Sequence, residues 1–182
     1  MQVLAQAASA LAHGDIELLA GDYTAAEREL RVGSEALDRM GERGYSSSVS
    51  AYRARALYGQ GRLKEAEELA RRAQEGASEE DLWSQVLSLG TLAKVRARNG
   101  DFEAAEPSAR QAVLLVEETD ALDLHGGALL DRAEVLLLAG HMSYAESCAE
   151  QALDLFRRKG NDVLAAQTAE LLERARGEAS TV

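Results

Sequence analysis

Cysteine, proline, aromatic rings and positive charge are all scarce in this chain, and each scarcity removes a class of protein. The single cysteine, Cys148, has no second thiol to pair with, which excludes an internal disulfide framework and a zinc site built from cysteines. One proline in 182 residues and an aromatic content of 4% leave little of the material from which strands and tight turns are made. With 20 Lys and Arg against 31 Asp and Glu, the formal net charge of -11 is the reverse of what a phosphate-neutralising surface carries, so nucleic acid is not an expected partner. No apolar run approaches the roughly eighteen residues of a membrane span. The opening stretch MQVLAQAASALAHG is apolar, yet it is broken by Gln2 and Gln6 and precedes the first basic residue, Arg28, so it reads as a helix and not as a secretory leader. A cytoplasmic chain with no membrane partner is expected.

Abundant instead are Ala, Leu, Glu and Arg, the residues of helices, and one phrase written four times: GDYTAAE from Gly21, GRLKEAE from Gly61, GDFEAAE from Gly100 and GHMSYAE from Gly140. The glycines are 40, 39 and 40 residues apart, a period that marks stacked supersecondary repeats. A large apolar residue follows each turn (Tyr23, Leu63, Phe102, Met142), and a glutamate closes each phrase (Glu27, Glu67, Glu106, Glu146). Each copy is expected to open a helix. Thr24 and Ser143, three residues before Glu27 and Glu146, have the spacing of a capping box. In the third copy Glu103 takes that place, which puts Pro107 in the first turn of its helix or just past it, where it is tolerated.

Steps of four, three and four residues from each alanine keep one side of a helix. They give an inward face of Ala26, Leu30, Gly33 and Leu37, then Ala66, Ala70, Ala73 and Ala77, then Ala105, Ala109, Ala112 and Val116, then Ala145, Ala149, Ala152 and Phe156. The stretches before the glycines, Gln2 to Ala20, Ser46 to Gln60, Glu80 to Asn99 and Leu122 to Ala139, are helical as well, so each repeat is a helical hairpin. Gly14, Ala54, Ala93 and Ala133 mark where its two helices touch. A ninth helix, Asp162 to Arg176, follows Gly160 and carries Gln167, Glu170, Glu173 and Arg174 on one side, the polar outer face of a cap.

The small residue, the Gly-Asp-Tyr/Phe turn and the alanine of the second helix together resemble the tetratricopeptide repeat (TPR), over nearly the whole chain. The period exceeds that family's usual length of about 34. The family's Trp and terminal Pro are missing, and Arg53 and Arg132 stand where it prefers an apolar residue. The ending, ALLDRAEVLLLAG and then ALDLFRRKGNDVLAAQTAELLERA, is similar to the last repeat of the long-repeat tails of bacterial ATPase-linked signalling regulators. The resemblance implies an all-α fold, a right-handed TPR-like superhelix (solenoid) of four helical hairpins plus a C-terminal capping helix. It would form a single domain over 1–182, with repeats at about 2–41, 45–77, 80–119 and 122–159 and the cap at 162–176. HEAT-like repeats share the period and remain open.

No set of nucleophile, base and metal ligands emerges, so no enzyme, cofactor or metal is expected. GQGRLK near Gly59 lacks the strand and the Lys-Ser/Thr ending of a phosphate loop, and LHGGALL has no nucleophile elbow beside it, so its glycines are expected to serve helix packing. His13, His125 and His141 fall in different repeats. Cys148, beside inward Ala149, is expected to be a buried small hydrophobe, Trp83 a packing residue, and Ser78 with Asp81 another cap.

What the residues do offer is a groove. By the resemblance, the residues six before each turn glycine, Asp15, Arg55, Lys94 and Glu134, line the concave face, where Tyr58 and Arg98 would extend a basic, partly aromatic strip suited to an acidic peptide or a carboxylate. A solvated face with salt bridges is the competing reading. The expected function is a noncatalytic protein-interaction scaffold for a peptide or neighbouring domain, possible as the C-terminal part of a bacterial regulator. The alternative is a ligand- or peptide-sensing regulatory domain that controls an attached effector. Val3, Leu4, Leu11, Ile16, Leu18 and Leu19 spread around the first helix, so self-association through this end, or a repeat preceding it, is expected.

Overall fold

The turn phrase works by stopping one helix and starting the next within two residues. Gly21, Gly61, Gly100 and Gly140 all adopt left-handed backbone, with φ of 77°, 74°, 81° and 78°. There a side chain would be strained, which is why the phrase begins with glycine. Each closes a Schellman motif: Gly21 N donates to Leu18 O and Asp22 N to Glu17 O, and the same two bonds recur at Gly61, Gly100 and Gly140. The residue after the glycine then begins the new helix. The Asp22 carboxylate accepts from Ala25 N (2.9 Å), and Asp101 accepts from Ala104 N (3.2 Å).

This corrects the expected capping boxes. Thr24 and Ser143 lie inside their helices, whose N-caps are Asp22 and His141, and Asp101 rather than Glu103 caps the third. An aspartate directly after the glycine reaches the free amides first. At the SEEDL stretch Asp81, not Ser78, accepts from Ser84 N (3.1 Å).

The computed structural model describes residues 2–41 and 45–179. Among them are nine helices and no strand: α1 Gln2–Leu19, α2 Tyr23–Met40, α3 Ser46–Gly59, α4 Leu63–Gly76, α5 Leu82–Arg98, α6 Phe102–Leu114, α7 Leu122–Leu138, α8 Met142–Lys159 and α9 Asp162–Ala179. The chain groups into two compact units, Met1–Leu92 and Ala93–Val182, with the boundary inside α5. In the first unit α1 packs on α2 and α3, α2 on α3, and α3 on α4; in the second α6 packs on α7, α7 on α8, and α8 on α9. Among the described residues, no helix is long and apolar enough to cross a membrane.

Small residues set these contacts. The alanine-led faces of α2, α6 and α8 are buried as the periodicity predicts, as are Gly14, Ala54, Ala93 and Ala133. Gly126 lets α7 approach α8 so closely that a Cβ there would stand 2.6 Å from the Phe156 ring. Gly127 meets nothing, so only one of the two glycines serves packing. Two details depart from expectation. Ala77 lies past the end of α4 in extended backbone and is half-buried. Trp83 is 46% exposed instead of packed in. Pro107, as expected, sits just past the first turn of α6, as its sixth residue, and removes the amide that Glu103 O would have accepted. The neighbouring carbonyl, Ala104 O, accepts from Ser108 Oγ (2.9 Å) and from Arg96 Nη1 (3.3 Å), which compensates the loosened turn.

Candidate functional site

The residues expected to line a groove fall in both compact units. In the first, Asp15 of α1 and Arg55 and Tyr58 of α3 are all half-buried. Tyr52, one turn before Arg55, joins them. Burial pushes its hydroxyl up to about 12, the Asp15 charge adds to this, and Arg55 opposes it, so both charges lie within electrostatic reach of the phenol. Here α1 and α3 meet in an acid, a phenol and a guanidinium, a set that both donates and accepts hydrogen bonds. Sequence reading missed Tyr52, although its spacing of three from Arg55 and six from Tyr58 puts it on the same stretch of helix.

In the second unit the expected strip has a different character. Lys94 is buried, and its Nζ lies 2.7 Å from Asp131 Oδ1 and 3.7 Å from Glu134 Oε2. Arg98, half-exposed, reaches Glu134 at 3.9 Å. Two cations one turn apart on α5 thus face two carboxylates on α7, and the cluster is neutral overall. The side chains of Lys94 and Asp131 are only 8% and 4% exposed, so their attraction acts at low dielectric. Lys94 is committed to this pair and does not present a bare charge. The signal for Asp131 is an acid directly after the apolar ALL of ALLDRAEVLLL, 37 residues from the lysine it meets.

A second constellation explains the arginines that stand out of the TPR pattern. Arg53 of α3 donates through Nε (2.9 Å) to Glu27 of α2, and its Nη2 lies 2.8 Å from the same carboxylate oxygen. Arg132 of α7 donates to Glu106 of α6 (2.8 Å), and Arg176 of α9 to Glu146 of α8 and to Glu150 (2.8 Å). Glu27, Glu106 and Glu146 are each the last letter of the repeated phrase, and each arginine comes from the next hairpin or cap. These latches close the seams between hairpins. The fourth glutamate, Glu67, pairs with Arg71 in its own helix (2.7 Å), because the matching position holds Leu92, which packs with Ala54 and Ala70.

Elsewhere in the second unit an open cleft of about 450 Å³ runs between α7 and α8, with His125, Leu129, Gln151, Asp154 and Arg158 on its walls. Burial lowers the His125 pKa and raises that of the Cys148 thiol, in keeping with an unreactive, buried sulfur. Asp154 and Arg158 pair with one another (3.4 Å). Among the described residues, no group of three His, Cys, Asp or Glu side chains is placed to hold a metal.

No protein-family model matches this chain, and no curated protein matches it. Among solved structures it is similar to BtubC (BKLC) from P. vanneervenii, over all of this chain and 94% of that one, at 14% identity and a TM-score of 0.51. At that identity the likeness is one of fold: an all-helical, repeat-like chain.

Proposed function

We propose that this chain is a noncatalytic interaction module of tetratricopeptide type, its hairpins and cap wound into a right-handed superhelix, which binds a peptide or a neighbouring domain on the faces of its first helices. The observation that carries the reading is the cluster of Asp15, Tyr52 and Arg55 where α1 meets α3, with Tyr58 one turn further along. It combines a guanidinium, able to grip a carboxylate in a fork, with phenols that add contact area at little entropic cost. Lys94 is held by buried Asp131, so the proposed binding chemistry is that of the first unit alone, with Arg55 and Tyr58 as the contacts.

The test is a screen of immobilised acidic dodecapeptides against the full chain, followed by anisotropy titration of the peptides retained. Arg55→Glu is expected to weaken them at least tenfold and Tyr58→Ala severalfold, with circular dichroism unchanged and wild-type binding falling as salt rises. Equal affinity of wild type and Arg55→Glu, or no retained peptide at all, rejects this site. Lys94→Glu is unsuitable as a probe, since it would gather three acids where Asp131 is already buried.

A further inference from the structure

Aligned on the turn glycines, Ile16 of α1 occupies the register of Ala56, Val95 and Val135. Those three are 0% exposed, whereas Ile16 is 60% exposed. What covers the internal positions is visible within each unit: Ala56 lies among Ala26 and Leu30 of α2, and Val135 among Ala105 and Ala109 of α6. The contrast holds fully at Ser9, exposed where Val49, Ser88 and Ala128 are buried. Ala12 is exposed where Thr91 and Asp131 are buried and Tyr52 half-buried, and Ala5 is exposed where Ser84 and Leu124 are buried, though Tyr45 in the same register is exposed too. Ala5, Ser9, Ala12 and Ile16 therefore form a seam-type face on α1 that none of the described residues covers, at i, i+4, i+7 and i+11 spacing.

From this face we infer that the chain pairs with a second copy of itself, α1 against α1, antiparallel about a twofold axis. Three observations select this occupant. First, no charged residue occurs before Asp15, so in a chain of net charge -11 this is a face on which two copies can meet without opposed carboxylates. Second, the stripe is large at one end and small at the other. Antiparallel pairing sets Ile16 of each copy over Ala5 of its partner and brings Ser9 opposite Ala12 near the axis, where small side chains allow close approach. Third, stacking the outer side of α9 on this face is disfavoured, because it exposes Gln167, Glu170 and Glu173, and covering them with an apolar stripe would strip water from carboxylates with no partner. A twofold contact also closes on itself and does not propagate. Being one helix wide, it belongs at the low end of specific interfaces, below about 1,200 Å², so the pairing depends on concentration.

Sedimentation velocity and light scattering on the full chain from 10 µM to 1 mM, concentrations on the order expected for so small an interface, provide the test. The mass should rise from that of one 19.5 kDa chain towards twice that value, and Ile16→Glu should remain a single chain with unchanged helicity. Oxidising a mixture of Ser9→Cys and Ala12→Cys chains should give the mixed disulfide in excess of either homodimer; buried Cys148 does not compete. A single-chain mass at every concentration overturns the inference and turns attention to a helix from another protein. Equal dimerisation of Ile16→Glu overturns the choice of face, and a statistical yield of disulfides overturns the antiparallel register.

Discussion

Gly126 and Gly127 are neighbours on α7 with opposite surroundings, and that contrast is a direct test of packing at the residue scale. Gly126→Ala drives a methyl into the Phe156 ring and is expected to cost about 1–3 kcal/mol. Gly127→Ala meets open space and should stabilise the helix by about 0.5–1 kcal/mol. Urea unfolding followed by circular dichroism separates the two, and parallel effects would show that α7 and α8 do not approach there. Lys94 gives a second residue-scale prediction. Lys94→Met removes the ammonium 2.7 Å from buried Asp131 and should destabilise by about 3–5 kcal/mol, whereas the double change Lys94→Met with Asp131→Leu should recover most of the loss. If the double variant is as unstable as the single one, the pair is not the source of the effect. Neither result was legible from the residues alone. Periodicity places Lys94 on the face of a helix, but only the folded chain brings in Asp131 and buries both.

At the scale of elements the sequence was far more informative, because the phrase encodes its own geometry. The four hairpin turns, the first helices to within two residues at either end, and the buried alanines of α2, α6 and α8 all follow from glycine spacing and a 3.6-residue period. Caps were misread for a local reason: Thr24 and Ser143 satisfy the spacing rule, but the glycine turn had already fixed the caps at Asp22 and His141, two residues earlier. The closing glutamate was misread for a nonlocal one, since its arginine lies in the next hairpin. The latches should differ in strength. Arg53 gives one hydrogen bond and a second close ionic contact to a glutamate that is mostly covered, and Arg53→Ala is expected to cost about 1–2 kcal/mol. Arg132 gives one, its Nε is buried without a partner among the described residues, and its glutamate is more exposed, so Arg132→Ala should cost under about 1 kcal/mol. Thermal unfolding of both variants, alone and combined with Glu27→Gln or Glu106→Gln, isolates each coupling. Equal and negligible losses would reduce the latches to surface ion pairs.

For the whole molecule the governing quantity is charge. Two copies that each carry -11 repel at a distance, and added salt shortens the range of that repulsion from about 10 Å at 0.1 M to about 3 Å at 1 M. Self-association through the uncharged stripe of α1 should therefore tighten severalfold as sodium chloride is raised over this range, and sedimentation equilibrium measures it. Loosening instead would mean that ionic contacts hold the copies together. Peptide capture at Arg55 carries the opposite sign, so one salt series distinguishes the two surfaces. The latches bear on the history of the chain as well as its mechanics. Each glutamate and its arginine lie 26 or 30 residues apart, less than one turn-to-turn interval. Excision of Gly100 to Ala139 removes Glu106 and Arg132 together and leaves Glu146 facing Arg176. Unequal recombination between copies of the phrase can thus shorten or extend the gene in whole repeats, with no carboxylate stranded at the join.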